Sequence, residues 1–375
     1  MAAYDAVVVG LGVMGSAALH HLAARGRRVL GLEEFAPGHA RGSSHGLTRV
    51  IRLAYFEHPS YVPLLRRAYA LWRALEAASG RRLLHVTGIA EIGRPDGVLV
   101  AGTLAAARLH GLPHEVLTAE ALMRRVPAFR IPAGYVGVWQ PDGGFLEAEP
   151  AVAAQVAAAA AAGAEIRTGT RVHAIAPHAG HVRLDTATGP VEAGAVVVAA
   201  GARVQRLLPG PAAPLRVTRQ VLGWFAPDDP APFSPERFPV FLLESDHGIH
   251  YGFPIHGVSG VKVAKHGHQD ETIDPETEDR GVSGEDEAAI RAAVAAHLPG
   301  ADGPLLRAMT CRYTMTPDQD FLIDRLPEDP RIVLLSPCSG HGFKFAPVIG
   351  EIAADLALAG GTRHDISRFA LARLS

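Results

Sequence analysis

Sulfur is scarce: the 375-residue chain holds only two cysteines, Cys311 and Cys338. They make no disulfide framework, which suits a reducing cytoplasm. Long apolar runs are missing as well. The longest candidate, residues 151–164, is mostly alanine and contains Gln155, so it reads as a helix and not as a bilayer span. An excess of one charge is also absent. With 36 basic and 38 acidic side chains the net charge is −2, which favours neither nucleic acid nor an acidic membrane surface as partner. There is no internal repeat and no low-complexity linker. The chain enters a strand within a few residues of its start, which leaves no room for a signal peptide. No metal is expected.

What the chain does have is apolar content of 48% and enough length for about two domains with a large core. Its N-terminal stretch reads VVVGLGVMGSAALHHLAARGRRVLGLEE. Ala6 to Val9 is a β-branched run suited to a buried parallel strand. Gly10, Gly12 and Gly15 stand in G-x-G-x-x-G register: the first permits a tight turn, the second lets backbone approach a pyrophosphate, and the third lets helix pack on strand. The helix N-terminus then offers free N–H groups to phosphate. A second strand, Arg28 to Leu32, ends at Glu33, 18 residues after Gly15, where a carboxylate accepts from ribose hydroxyls. Strand, turn, helix, second strand and acid in that order predict an adenine dinucleotide site. The acid disfavours the 2′-phosphate of NADP and leaves FAD or NAD.

The organisation is interleaved. A strand ending in small residues (193–204), a helix over 149–162 and a short strand over 165–168 add to the nucleotide-binding layer. Residues 84–146 and 216–304 carry more proline, aromatics and alternating strands, at 221–225, 240–243, 250–253 and 261–264. The expected fold class is α/β, with a dinucleotide-binding Rossmann-like domain (1–83, 147–215 and 305–375) interleaved with a sheet-rich substrate domain (84–146 and 216–304). A last helix, 347–358, is stopped by Gly360 and Gly361.

Near the C-terminus the chain reads MTCRYTMTPDQDFLID and then SPCSGHGFKFAPVIGE. Cys311 is either a small buried hydrophobe or a thiol that adds to a flavin when nearby cations stabilise its thiolate. Cys338 reads as packing. Arg49 and Arg52 lie three apart, beside His45, and share a face if the segment is helical. They make a cationic patch, or else two solvated surface arginines. Lys344 follows Gly340 and Gly342 and precedes the last helix, whose positive end points back at it. Lys262 and His266 alternate with Val261 and Val263, as in a half-buried strand, whereas Lys265 faces solvent.

Five motifs in order carry a resemblance that runs nearly end to end: GSSHGLTRVIRLAY (42–55), YGFP (251–254), KVAKH (262 to 266 within it), CRYT (311–314) and SGHGFKF (339–345). The chain resembles the monomeric sarcosine oxidase and N-methyltryptophan oxidase group of FAD-dependent amine oxidases, within the D-amino-acid-oxidase-like superfamily. The resemblance implies FAD held by Gly10, Gly12, Val13, Met14, Gly15, Glu33, Glu34, Ser43, Ser44, Val172, Gly201, Gly342, Phe343 and Lys344, with a thioether from its 8α-methyl to Cys311. It implies that Arg49 lies against the flavin, that His45 is among the catalytic residues, and that Arg52, steered by Glu57, binds the substrate carboxylate with Lys344. Lys262 would activate oxygen, His266 would line the amine pocket, and Tyr251 and Tyr313 would close it. The implied reaction is oxidation of an N-methyl amino acid to the parent amino acid, formaldehyde and hydrogen peroxide, by a cytoplasmic monomer. Oxidation of N-methyltryptophan or of a cyclic amino acid such as pipecolate is the alternative, and a nucleotide-binding regulatory module is the non-enzymatic one. Arg52 and Lys344 are not expected to hold the core. Leu47, Ser44 and the Pro337–Cys338 pair depart from the family pattern near the substrate mouth.

Overall fold

The structure, a computed structural model, describes residues 3–374. The strand Tyr4–Val9 lies inside a sheet ordered Val172–His178, His181–Thr186, Gly189–Val198, Tyr4–Val9, Val29–Leu32 and Glu165–Arg167. Ile332–Ser336 pairs in parallel with Gly189–Val198 and antiparallel with Leu322–Arg325. Ala6, Val7 and Val8 are fully buried, as a strand covered on both faces requires. The helix Val13–Ala23 crosses this sheet and packs against Ala148–Ala161 and Ala346–Ala359. The approach to the last of these is close because a side chain at Gly350 would sit 2.5 Å from the Ala17 carbonyl carbon. That helix ends in Gly360 at φ 74°, a left-handed cap.

A second eight-stranded sheet runs Leu305–Met315, Arg216–Phe225, Val261–Lys265, Gly248–Phe253, Val240–Ser245, Ile89–Gly93, Val136–Gln140 and Glu115–Thr118. Its core gathers Phe129, Phe225, Phe233, Phe238 and Phe241. Between the two sheets, Thr48–Ile51 and Leu84–Val86 flank Gly144–Glu147 in a three-stranded sheet. Among the described residues no helix is long and apolar enough to cross a membrane.

The fold departs from the sequence-based expectations in three places. Arg49 lies within a strand, not a helix, because the β-branched run from Thr48 pairs with Gly144–Glu147; the two arginines therefore share no helical face. Leu305–Met315, placed by sequence with the nucleotide-binding segments, pairs along its length with Arg216–Phe225 in the second sheet. The sheet-rich segments also contain three helices, Val98–His110, Ala119–Arg125 and Gly284–His297. The third begins with a capping box, in which Ser283 and Asp286 satisfy each other's backbone N–H.

Candidate active site

One cleft of about 2050 Å³, counting its open mouth, runs from the N-terminal glycine turn to Lys344. At the turn, Gly10 has φ 88°, and a side chain there would lie 2.7 Å from the Ala199 carbonyl oxygen. One at Gly15 would overlap the Gly10 carbonyl at 1.7 Å, whereas one at Gly12 would meet only the Ser44 hydroxyl, at 3.3 Å. The turn and the helix packing thus require Gly10 and Gly15, and Gly12 keeps the backbone open to a ligand. Ser44 accepts from the Val13 N–H, orienting the helix start. The Glu33 carboxylate accepts from Leu11 and Phe35 N–H groups and lies 3.4 Å from His39. Burial acts to raise its pKa, but these partners outweigh burial and keep it low. Glu34 faces Arg171 and Arg203 at 3.6 and 3.7 Å. Met14, Ser43, Val172 and Gly201 complete this end of the lining.

The middle of the cleft carries the thiol. Cys311 Sγ is 3.6 Å from Nη2 of Arg49, whose guanidinium also donates to the Thr48 and Ser43 carbonyls and lies over the Phe343 ring. The hydroxyls of Thr314 and Ser336, both on the lining, are buried without a protein partner. Such orphans are expected where a ligand supplies the missing bond. Cys338 accepts from the Thr314 N–H, and burial pushes its thiol up. The following turn needs its glycines: a side chain at Gly342 would sit 1.7 Å from the Pro337 carbonyl oxygen, and one at Gly340 2.5 Å from the Tyr313 ring.

The far end is buried and holds two cations and two acids. Arg52, 2% exposed, donates from Nε to Glu91 and from Nη2 to Glu57, both at 2.7 Å. Burial opposes its charge, but the two carboxylates outweigh burial and hold it protonated. Tyr55 and Phe56 lie against the guanidinium at 4.2 and 5.0 Å. Gln140 completes the frame, donating to Glu91 and accepting from the Ala54 N–H. Lys344 Nζ donates to the Tyr55 hydroxyl and the His341 carbonyl, and burial beside Arg52 brings it down to about 7. Burial raises Glu91 to about 7 and lowers His266. Tyr251 and Tyr313 face each other at 3.5 Å between hydroxyls, and His266 lies against the Tyr313 ring.

Gly15, Lys262 and His45 stand apart from the lining. Gly15 acts through helix packing. The Lys262 ammonium donates to the Gly46 carbonyl, the Thr48 carbonyl and the Thr48 hydroxyl, under the rings of Phe253 and Trp224. Burial, then Arg49, depresses its pKa well below that of an ordinary lysine. His45 is buried with both ring nitrogens unpartnered, and burial takes it down to about 3. Lys265 is only half-buried. Sequence reasoning missed Glu91, Gln140, Tyr55 and His341. Tyr55 and His341 lie inside quoted motifs, and Glu91 is a lone acid between apolar Ala90 and Ile92, a pattern that signals a buried charge with a partner.

Comparisons with known proteins extend over nearly the whole chain. The family described as "DAO: FAD dependent oxidoreductase" matches residues 5–356. Monomeric sarcosine oxidase of Streptomyces avermitilis is 43% identical over 99% of this chain and 98% of its own length. N-methyl-L-tryptophan oxidase of Yersinia pestis (strain Pestoides F) is 37% identical over 99% of each. The open form of NikD, an unusual amino acid oxidase essential for nikkomycin biosynthesis, superposes with a TM-score of 0.86 at 30% identity, over 98% of this chain and 97% of that one. The chain belongs to the FAD dependent oxidoreductase family.

Proposed function

We propose that this FAD dependent oxidoreductase is an oxidase of N-methyl amino acids that yields the parent amino acid, formaldehyde and hydrogen peroxide. The observation that carries the reading is the pair of buried cations, Arg52 and Lys344, at the end of the cleft that begins at the glycine turn. The residues fit FAD. The turn leaves backbone open at Gly12, Glu33 stands at the end of the second strand, and the Thr314 and Ser336 hydroxyls lack partners within the lining. Cys311 beside Arg49 is the attachment point of a covalent flavin in this reading.

FAD, when bound, supplies a two-electron acceptor that passes its electrons to oxygen as hydrogen peroxide. The protein's part is positioning and electrostatics. Arg52 is held by Glu57 and Glu91, so its Nη1 edge, which makes no hydrogen bond among the described residues, is left for the substrate carboxylate. Lys344 completes the clamp, and together they turn the N-methyl group towards the cofactor side of the cleft. Burial beside Lys344 disfavours a bound ammonium and selects the neutral amine that gives up a hydride. Tyr251, Tyr313 and His266 wall the amine, and Lys262 promotes the oxygen step from behind the Thr48 strand.

A substrate screen following peroxide release tests this. Sarcosine and other N-methyl amino acids should yield peroxide and formaldehyde in equal amounts, whereas glycine and pipecolate should not. Comparison of sarcosine with N-methyl-L-tryptophan reads the side chain the pocket accepts. A colourless protein, silent with every amine, would return the chain to a nucleotide-binding role.

A further inference from the structure

Outside the cleft, three side chains distant in sequence bring donor atoms together. His85 stands on Leu84–Val86, Glu147 ends Gly144–Glu147, and His256 follows the strand Gly248–Phe253. Oε1 of Glu147 lies 2.9 Å from Nε2 of His85 and 3.0 Å from Nε2 of His256, and the three donor atoms all fall within 4.8 Å of one another. Phe145 fixes both rings: His85 stacks on it at 4.7 Å and 4°, and His256 lies 4.9 Å away. The side chains keep 16%, 23% and 26% of their exposure, so solvent reaches the point where they converge.

We propose that His85, Glu147 and His256 form a binding site for a divalent transition metal of the zinc class. Two imidazole nitrogens and one carboxylate oxygen are the donor set of a three-ligand zinc site, with the fourth position left to water. Nitrogen donors disfavour calcium and magnesium, which take oxygen ligands. Tetrahedral bonds of about 2.0–2.2 Å place ligand atoms roughly 3.3 Å apart. The Glu147 oxygen stands at hydrogen-bond distance from each imidazole nitrogen, so metal entry requires those two separations to open by a few tenths of an ångström, with the two nitrogens, already within 4.8 Å of each other, adjusting by ring rotation. Each ring then presents Nε2 to the metal and keeps its proton on Nδ1. The site does not depend on the oxidase reading, since none of its residues lines the cleft.

The test uses the flavin-loaded protein, stripped with a chelator and dialysed against micromolar Zn²⁺, with Mg²⁺ as control. The expected result is one bound Zn²⁺ per chain, no bound Mg²⁺, and a Zn²⁺-dependent rise in unfolding temperature. Glu147→Gln and His256→Gln should each weaken Zn²⁺ by about tenfold or more while flavin content is kept. Cu²⁺ electron paramagnetic resonance on the wild type should show two imidazole nitrogens, a readout that needs no variant to fold. Absence of stoichiometric Zn²⁺ in the wild type, Zn²⁺ retained in both variants, or a copper spectrum without nitrogen couplings would overturn the proposal and leave a plain histidine–carboxylate hydrogen-bond cluster.

Discussion

Nε of Arg52 lies 2.7 Å from Oε1 of Glu91, a carboxylate with no exposure at all. With Glu57 on the other side, Arg52 sits between two acids before any substrate arrives. The expectation that Arg52 is indifferent to stability therefore does not fit: truncation would leave the fully buried Glu91 and the partly buried Glu57 short of a partner, at a cost of about 3–5 kcal/mol. Arg52→Lys keeps the charge and loses the planar fork. It should lower kcat/KM for N-methyl amino acids by about 30- to 1000-fold, the scale of one broken charge-assisted contact of about 2–4 kcal/mol. An N-methyl amine without a carboxylate should be oxidised nearly as by wild type. Equal losses for both substrates would place the carboxylate site elsewhere.

Lys344 and Glu91, both near 7, set a pH dependence whose sign follows from each. Above that pH Lys344 loses its positive charge and Glu91 gains a negative one, so both changes weaken the hold on an anion. Methoxyacetate, a carboxylate with no titratable amine, should bind the oxidised enzyme progressively more weakly as pH rises through 7. In Lys344→Met the binding should be weaker at low pH and the profile flatter. A profile that climbs with pH would contradict the clamp.

Cys311 is predicted to hold the flavin covalently. Acid-precipitated wild type should stay yellow, and a tryptic peptide containing Cys311 should carry the mass of FAD. Cys311→Ser should release the flavin on denaturation, and Cys338→Ser should not. Release of free flavin from the wild type would refute the bond and leave the fold untouched.

Lys262→Met removes a buried ammonium and its three hydrogen bonds to residues 46 and 48. Stopped-flow measurement should show reoxidation by oxygen slowed by about two orders of magnitude or more, with anaerobic reduction by substrate much less affected. Equal slowing of both half-reactions would make Lys262 a prop for the Gly46–Thr48 backbone.

Acid should destabilise the protein before its ordinary surface carboxylates titrate. Burial lowers His21, His250 and His341 to about 4 and His45 to about 3. Unfolded histidines titrate near 6.5, so the stability held by keeping these neutral is complete above that pH and is lost as pH falls towards 4. At the acid end each is worth at most about 3–5 kcal/mol. The unfolding temperature should drop steeply across this window, and less steeply in His250→Gln, which lies outside the cleft. A flat profile between pH 6.5 and 4 would show that these histidines are solvated.

The glycine turn was legible because its residue spacing reports geometry within a few residues of chain. The place of Arg52, Lys344 and Cys311 on the cleft was legible because each stands inside a quoted motif. The partners of Arg52 were not: Glu91 is 39 residues away, and the contact exists only once Ile89–Gly93 and the turn after Thr48–Ile51 are packed together. Pairing within the second sheet hid the place of Leu305–Met315 for the same reason, since register with Arg216–Phe225 is a long-range choice. Whether Arg49 stands on a helix or a strand was left open by the sequence, because a four-residue strand is too short to display alternation.

Lysine is nearly absent from this chain, and what little there is has been put to use. Of 36 basic residues only Lys262, Lys265 and Lys344 are lysine, and two of those are buried. Lys265 is thus the one side-chain amine open to a reagent in solution. Amine-directed labels, cross-linkers and solid supports would grip the folded protein at a single side chain, on the second sheet and beyond the cleft lining. Labelling of Lys344 would be a direct gauge of the cleft breathing open, and labelling of Lys262 one of the strand around Thr48 letting go.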